Sequence, residues 1–396
     1  MRGCCHVLRR LQWNCPASSY NFKSGEIKMI KNLNIENFRC FRKTKIKGFS
    51  DINLIGGQNN AGKTALLEAI FINLSPRANT ILSLRRTRRE SLEFAKNLPE
   101  RAWSNLFFNL NLDEALKIIS YDQNGDEYNN IEILCNESPD MFNKIFEEDD
   151  QVNDDLVDLR TLLSERKYTR STLNISLIKN GSRQSLYSLV AHSKGIIRRD
   201  LNMPDDKKVN YIPASLRLTN EALAREYDKA DMKGHSEHLL EAMQITDPLI
   251  KEVKTFNIGE SAVYLKKLGG EYLSIYLYGE AITKTTELIL RMINDRNSVL
   301  LIDEVENGIH HTNQYELWKM IFKLSSAFNI QIFATTHSHE MIQAFVKAGL
   351  SDEKFKRKAA YVEMAENVKS GDLIGIKRDL ETLEYEARQG MGFRGE

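Results

Sequence analysis

One short segment of the chain has the residue types that hold phosphate groups. Gly57 and Gly62 frame a loop that ends in Lys63 and Thr64. Glycines let backbone N–H groups turn toward phosphate oxygens, the lysine ammonium reaches the terminal phosphates, and the hydroxyl takes one position on Mg²⁺. The segment therefore predicts a site for a nucleoside triphosphate, ATP, with Mg²⁺. The predicted nucleotide-binding residues of the loop are Gly57, Gln58, Asn59, Asn60, Ala61, Gly62, Lys63, Thr64 and Ala65.

A second segment, about 240 residues later, carries two adjacent carboxylates at the end of an apolar run. The run Val299–Ile302 predicts a buried strand, and Asp303 follows it at a position that suits contact with the Mg²⁺. Glu304, the next residue, is placed to polarise the attacking water. We therefore predict that Thr64 and Asp303 are associated with the metal and that Glu304 is the general base.

A third segment follows another apolar run, at residues 330–334, and contains His337. Because the carboxyl ends of parallel strands meet at one edge of a sheet, this histidine is placed to donate to the γ-phosphate or to its attacking water. The predicted catalytic residues are Lys63, Glu304 and His337. Three further histidines, which give poor evidence for a metal site by their spacing, are His310, His311 and His339.

The elements around these segments alternate between strand and helix. The apolar run at 52–55 predicts a strand that feeds the glycine loop, and residues 64–74 predict the helix that follows it. Pro76 ends that helix. A further helix is predicted at 282–294, directly before the Val299–Ile302 strand. This alternation predicts an α/β fold, with a mainly parallel sheet flanked by helices.

The long separation of the two phosphate-site segments predicts a divided domain. Residues 29–138 form the first half, with strand–turn–strand patterns at its start, and residues 209–396 form the second half. Between them, residues 139–208 contain acidic and basic stretches and predict an inserted helical arm or lid. Residues 1–28 carry five Lys or Arg residues against one Glu, and we interpret them as a non-structural leader before a true start at Met29.

Composition excludes few functions but narrows the class of protein. Of the 396 residues, 42% are hydrophobic and 28% are charged, which is typical of a globular protein. The net charge of +1 gives no global argument for nucleic-acid binding. No apolar run approaches the length of a membrane span. Cys40 and Cys135 lie in apolar contexts and are expected to be reduced residues of a cytoplasmic protein.

Three short segments of the chain together resemble a known family. Asn37-Phe38-Arg39, Asp303–His310 and Thr335–Ser338 are similar to the RecF/SMC-like branch of ABC-type ATPases. More narrowly, the chain from Met29 to Arg394 resembles the bacterial "AAA family ATPase" proteins of phage-resistance loci, relatives of the OLD-family ATPases. The resemblance implies a P-loop NTPase with an ABC-type head and an N-terminal antiparallel β-subdomain.

The resemblance also implies residues that motif spacing alone does not indicate. Arg39 becomes a nucleotide contact, and Gly279 opens the signature helix that meets the γ-phosphate held by a second copy. The usual signature resembles Gly-Asp-Gly, so Ala281 is a departure from it. The implied assembly is a homodimer, or a higher oligomer, with ATP between facing heads. The glutamine loop of the family has three candidates here, Gln123, Asn105 and Asn109.

Two biological roles fit these expectations. The first is a sensor or scaffold in anti-phage defence that acts with a separate nuclease or toxin. OLD-family proteins carry a nuclease domain after the ATPase, and the about 58 residues that follow Ser338 are too few for such a domain. The second is a RecF-like ATPase of DNA repair, in which Arg85, Arg86, Arg88 and Arg89 would meet DNA phosphates. A solvated helical face explains the arginines equally well. An ABC transporter head and a catalytically idle structural ATPase are disfavoured, and no membrane association is expected.

Overall fold

The computed structural model describes residues 29–136, 171–202, 208–214 and 218–389. The leader expected at 1–28 lies outside the described residues. So do residues 137–170 and 203–207 of the expected arm.

A six-stranded sheet, counted over the described ranges, forms the centre of the fold. Its strand order is β16-β15-β3-β14-β13-β9. Five neighbouring strands run parallel, and β16 pairs antiparallel with β15 at one edge. The carboxyl ends of β3, β13 and β14, which carry the predicted phosphate-site segments, therefore meet at one edge. The bounds are β3 Ile52–Gly57, β9 Val209–Ile212, β13 Ser298–Ile302, β14 Ile330–Thr335, β15 Ala359–Glu366 and β16 Leu373–Arg378.

A second sheet is entirely antiparallel and contains seven strands within the described part of the chain. Its order is β2-β1-β4-β5-β6-β7-β8. The bounds are β1 Asn32–Phe38, β2 Phe41–Lys47, β4 Leu116–Tyr121, β5 Glu127–Asn136, β6 Ser171–Lys179, β7 Ser182–His192 and β8 Gly195–Asp200. A small third sheet follows the order of the chain, with β10 Ile250–Ile258, β11 Glu260–Lys267 and β12 Tyr272–Ser274.

The helices of the described residues lie on both faces of the central sheet. The helix after the glycine loop, α1 Lys63–Leu74, is nearly all buried and packs between the central and the antiparallel sheets. The other helices are α2 Ala78–Thr87, α3 Leu92–Asn97, α4 Asn220–Met232, α5 Ser236–Thr246, α6 Glu280–Asn294, α7 His311–Phe328, α8 His339–Leu350, α9 Glu353–Lys358 and α10 Leu380–Arg388.

The fold has two hydrophobic cores, one on each face of the central sheet. Along β13, Val299 and Leu301 point into the core that holds α1, whereas Leu300 and Ile302 point into the core that holds α4 to α8. A parallel strand covered on both faces reads as a continuous apolar run, which is the pattern that predicted this strand. The α/β fold with a mainly parallel sheet and an N-terminal antiparallel sheet is therefore confirmed.

The described part of the expected arm is not helical. Residues 171–200 form β6, β7 and β8, which extend the antiparallel sheet. Leu173 and Ile175 are fully buried in the core around α1. The alternation of apolar residues along β6, followed by Asn180-Gly181, is a hairpin signal that the neighbouring charged stretches obscured.

Candidate nucleotide-binding site

The glycine loop links β3 to α1 through backbone conformations that residues other than glycine rarely adopt. Gly57 has φ 132° and Gly62 has φ 81°. A Cβ atom on Gly57 would lie 2.3 Å from the carbonyl oxygen of Met364, and one on Gly62 would lie 2.9 Å from Cys40 Sγ. Since real Cβ contacts are not this short, the loop needs glycine at both positions.

The lysine of the loop is buried and held by the loop itself. Lys63 is 4% exposed, and its Nζ donates to the carbonyl oxygens of Gly57 at 2.9 Å and Gln58 at 2.7 Å. These contacts place the ammonium over the mouth of the loop. It needs only to exchange carbonyl oxygens for phosphate oxygens to serve as the predicted phosphate contact.

Asp303 joins the carboxyl end of β13 to the start of α1. Its Oδ1 accepts from the Thr64 hydroxyl at 3.0 Å and from the Thr335 hydroxyl at 2.7 Å. Burial raises the pKa of this carboxyl above its usual range, and the hydrogen bonds from Thr335 and Thr64 act in the opposite direction. The predicted metal-associated pair, Thr64 and Asp303, is thus brought into direct contact.

These two side chains fit a magnesium ion. A hydroxyl and a carboxylate are hard oxygen ligands, and Mg²⁺ typically binds through one or two carboxylates together with substrate phosphates. Asp303 is only 6% exposed, and a buried carboxylate is stabilised as an anion by a bound cation.

Glu304 is turned away from its strand by an unusual backbone. Its φ is 51°, a left-handed conformation that costs about 1 to 3 kcal/mol for a non-glycine residue. The backbone N–H donates to Thr335 Oγ1 at 2.9 Å. Of its carboxylate oxygens, Oε2 accepts from Asn307 Nδ2 at 2.6 Å, and Oε1 lies 3.8 Å from His337 Nε2. The predicted base and the predicted histidine are therefore neighbours.

The backbone of His337 is fixed by a second carboxylate of the same loop. Its N–H donates to Glu306 Oε1 at 2.6 Å. The side chains of His337 and Glu304 are each 37% exposed, so both can meet a ligand and a water molecule. Of the two, only His337 lines the cavity described next.

A cavity of about 1010 Å³ opens over the glycine loop. This volume accommodates a nucleotide, since ligand pockets span about 300 to 1,000 Å³. Its wall opposite the loop comes from the segment between α3 and β4. The lining residues are Arg39, Cys40, Asn59, Asn60, Ala61, Gly62, Lys63, Thr64, Ala65, Arg88, Asn105, Phe107, Phe108, Asn109, Leu110, His337, Glu366, Gly371 and Leu373.

Two arginines of this cavity share one fully buried carboxylate. Glu68, on α1, has no exposed surface and accepts from Arg88 Nε at 2.7 Å. Arg39 Nε lies 3.2 Å from the other oxygen of Glu68, and Arg39 Nη1 donates to the carbonyl oxygen of Asn105 at 2.8 Å. Arg39, the nucleotide contact that the resemblance implied, thus lines the same cavity as the glycine loop. Sequence reasoning missed Glu68 and its pairing with Arg88; the signal was the lone carboxylate of α1, set among apolar residues.

The four clustered arginines do not form one exposed face. Arg85 is 4% exposed, pairs with Glu90 at 3.2 Å and donates to the carbonyl oxygen of Ala102. Arg88 is paired with Glu68 at the cavity. Of the four, Arg85 is thus interior and Arg88 lies at the nucleotide cavity, while Arg86 and Arg89 are exposed.

Gly279 lies away from these residues. It precedes α6, has φ 93°, is exposed, and a Cβ atom on it would have no neighbour within 4 Å. It is absent from the lining of the cavity within the described ranges. In one chain, the predicted signature segment is thus separate from the phosphate loop.

The three candidates for the glutamine loop differ in their positions. Asn105 and Asn109 line the cavity, whereas Gln123 is exposed in the turn between β4 and β5.

Among the residues that the structure describes, no three His, Cys, Asp or Glu side chains cluster as a metal site, so the extra histidines gain no support. No helix in the same residues has the length and apolar character of a membrane span. Burial raises the pKa of the Cys40 thiol to about 11.

Comparison with known proteins gives a family model and a relative that each cover most of the chain. Residues 52–342 match the family described as "AAA domain, putative AbiEii toxin, Type IV TA system". The "ATP/GTP phosphatase" of Helicobacter pylori is 24% identical over 337 residues, covering 80% of this chain and 87% of that protein.

Two further similarities are local or distant. The "DNA double-strand break repair Rad50 ATPase" of Archaeoglobus fulgidus is 48% identical over 44 residues, which is 11% of this chain and 5% of that protein. The crystal structure of an "SmcHead bound to the C-winged helix domain of ScpA" aligns over 90% of this chain and 99% of its own, at 12% identity and a TM-score of 0.46.

Proposed function

The chain belongs to this AAA-domain family and has the fold of a P-loop NTPase with an ABC-type head, and from that premise we propose that it binds and hydrolyses ATP. One observation carries the proposal. Asp303 is held against Thr64 of the glycine loop, while Glu304, the next residue, lies 3.8 Å from His337. The similarity to a protein named ATP/GTP phosphatase supports nucleotide hydrolysis.

Each of these side chains has a task in the reaction. Lys63 and the N–H groups of the loop hold the phosphate oxygens, and Thr64 and Asp303 would hold a Mg²⁺ ion, which would neutralise charge on those oxygens. Glu304 accepts a proton from water as the water oxygen bonds to the γ-phosphorus and the bond to the bridging oxygen of ADP breaks. His337 donates a hydrogen bond to the transferred phosphoryl group.

The exposed Gly279 segment supports a dimeric site. The N-terminus of α6 is an anion-binding end of a helix, and no part of it lines the cavity of its own chain. Two copies related by a two-fold axis would each place this segment over the nucleotide of the other. ATP binding would then close the dimer and hydrolysis would release it.

For the biological role, we propose a cytoplasmic sensor or scaffold in anti-phage defence that acts with a separate nuclease or toxin. The family description, which names a toxin and a toxin–antitoxin system, supports this role. The RecF-like repair role is the alternative, and the local similarity to a Rad50 ATPase favours it. Arg85 is buried and Arg88 is paired with Glu68, so of that arginine cluster Arg86 and Arg89 are exposed without these constraints.

The catalytic assignment is tested with Glu304→Gln. Removing the base should lower kcat by about 100- to 10,000-fold while the affinity for ATP is kept. Phosphate release and the binding of a fluorescent ATP analogue measure the two effects. Glu316→Gln, on the exposed surface of α7, is the matched control. Hydrolysis by Glu304→Gln at the wild-type rate would contradict the assignment.

The role is tested by purifying the Glu304→Gln variant from its host with ATP present. A stoichiometric nuclease or toxin would support the defence role. Salt-sensitive recovery of DNA without such a partner would support the repair role.

A further inference from the structure

The backbone of the proposed base is held from two sides. The N–H of Glu304 donates to Thr335, and the carbonyl oxygen of Glu304 accepts from Lys284 Nζ at 2.6 Å. A left-handed backbone at a non-glycine residue persists only where its surroundings fix it. These two hydrogen bonds are therefore candidates for what keeps the Glu304 carboxylate in place.

Lys284 occupies an unusual position for a lysine. It lies on α6, five residues after Gly279, and it is only 3% exposed. A buried ammonium is costly unless it is hydrogen-bonded, so its contact with the Glu304 carbonyl is part of what makes the buried position possible. The contact also crosses from α6 to the catalytic loop, and thus joins two elements of the proposed site.

A second contact joins the same two elements. Gly308, four residues after Glu304, has φ 75° and packs on the start of α6. A Cβ atom there would lie 3.4 Å from the backbone nitrogen of Ala281 and 3.4 Å from Glu280 Cβ. A Cβ atom at Gly308 would thus be in van der Waals contact with the first turn of α6, so the catalytic loop and that turn lie side by side.

We propose that Lys284 is a positioning residue, which sets the placement of Glu304 and makes hydrolysis depend on the position of α6. The proposal rests on the proposed ATPase function, in which Glu304 is the base and Gly279 meets the partner's nucleotide. A ligand that moves the α6 N-terminus would then alter Glu304 of the same chain. Hydrolysis at one site would respond to nucleotide in the other.

The test compares three lysine variants. Lys284→Met keeps the bulk of the side chain but cannot donate, and it should lower kcat about tenfold or more with ATP affinity changed less than about twofold, since small misplacements of catalytic groups are costly. Lys284→Arg keeps a donor and should retain more activity than Lys284→Met. Lys233→Met is the matched control, because Lys233 donates to the carbonyl oxygen of Asn294 at the far end of the same helix.

The outcomes separate a positioning role from a packing role. Wild-type kcat in Lys284→Met would overturn the proposal, as would equal losses in the Met and Arg variants. If Lys284→Met fails to fold, the comparison of Lys284→Arg with wild type decides, because a shifted donor should change kcat and leave ATP affinity intact; an unchanged kcat there would overturn the proposal.

A double variant distinguishes failure of this proposal from failure of the proposed function. In a Glu304→Gln background, Lys284→Met should lower hydrolysis by less than about twofold further, since both changes act through one carboxylate. If Glu304→Gln alone leaves kcat unchanged, the assigned base is wrong. If Glu304→Gln is slow and Lys284→Met remains fast, only the role of Lys284 is wrong.

Discussion

The phosphate side of the site and the Gly279 segment differ in how completely one chain builds them. On the phosphate side, Lys63 and Asp303 are buried and hydrogen-bonded at the edge of the central sheet. Gly279 is exposed, and a Cβ atom on it would meet nothing within 4 Å. A single chain therefore preorganises the residues that we propose to hold and activate the nucleotide, while the segment that we propose to face the partner's γ-phosphate is exposed.

The two regions are nevertheless joined through α6. Lys284 contacts the backbone of Glu304, and Gly308 packs on the first turn of α6. We propose that the preorganised side responds to the exposed side through these contacts, and substitutions in the two regions should have different kinetic signatures. Changes on the phosphate side should alter binding or chemistry in every chain. Changes at Gly279 should act only where two chains meet.

Lys63→Ala should have the largest effect, on nucleotide binding. The ammonium would form charge-assisted hydrogen bonds with phosphate oxygens, and losing two of these costs about 3 to 6 kcal/mol, or about 100- to 20,000-fold in affinity. Titration with a fluorescent ATP analogue measures the loss. Lys323→Ala, on the exposed side of α7, is the control. Wild-type affinity in Lys63→Ala would show that the loop is not the nucleotide site.

Gly279→Asp should have a smaller effect, confined to turnover. A carboxylate at this position repels the partner's γ-phosphate and should lower kcat about tenfold, while ATP affinity of the single chain stays near wild type. Gly259→Asp is the matched control, since Gly259 also has positive φ, at 80°, and no neighbour within 4 Å of a Cβ atom. Equal losses in the two variants would point to backbone strain and would argue against a partner contact.

Asp303→Asn should have the smallest of the three effects, a small gain in stability in the absence of Mg²⁺. The same substitution removes the carboxylate that we propose to bind the metal. Because burial raises the pKa of Asp303 in the folded state, the folded protein holds a proton more tightly, and stability falls as pH rises from the usual carboxylate range through the raised pKa. Without Mg²⁺ at neutral pH, Asp303→Asn should melt about 2 to 4 °C higher than wild type.

The difference in melting temperature between Asp303→Asn and wild type should shrink as the pH falls through the raised pKa of Asp303 and the carboxyl takes up its proton. Thermal unfolding at two pH values checks this sign. A lower melting temperature for Asp303→Asn at neutral pH would mean that hydrogen bonds from Thr64 and Thr335 outweigh desolvation.

Much of the site was predictable because its chemistry lies in short segments. The glycine loop, Asp303 with Glu304, and His337 each end a strand of the parallel sheet, and the topology brings such ends together. Their individual roles stay predictions until the variants are measured. The parallel sheet itself was readable from apolar runs such as Val299–Ile302.

The rest depended on contacts between distant parts of the chain. Glu68 meets Arg39 and Arg88 only after α1 packs beneath two separate segments, and Lys284 meets Glu304 only after α6 and β13 are adjacent. No local spacing encodes such pairs. The strands at 171–200 were not predicted, for another reason. Their hairpin pattern lies between charged stretches, and those stretches led to the wrong prediction of a helical arm.

The central claim is that Gly279 of one chain completes the ATP site built on Lys63 of another. Mixing Lys63→Ala with Gly279→Asp tests it directly, since a mixed dimer contains one site with both elements intact. The account predicts that two preparations of low activity regain up to about a quarter of wild-type ATP hydrolysis on mixing, because half of the dimers are mixed and each has one working site. Coupling to the second, defective site would lower this ceiling. A mixture no more active than its components would contradict the account.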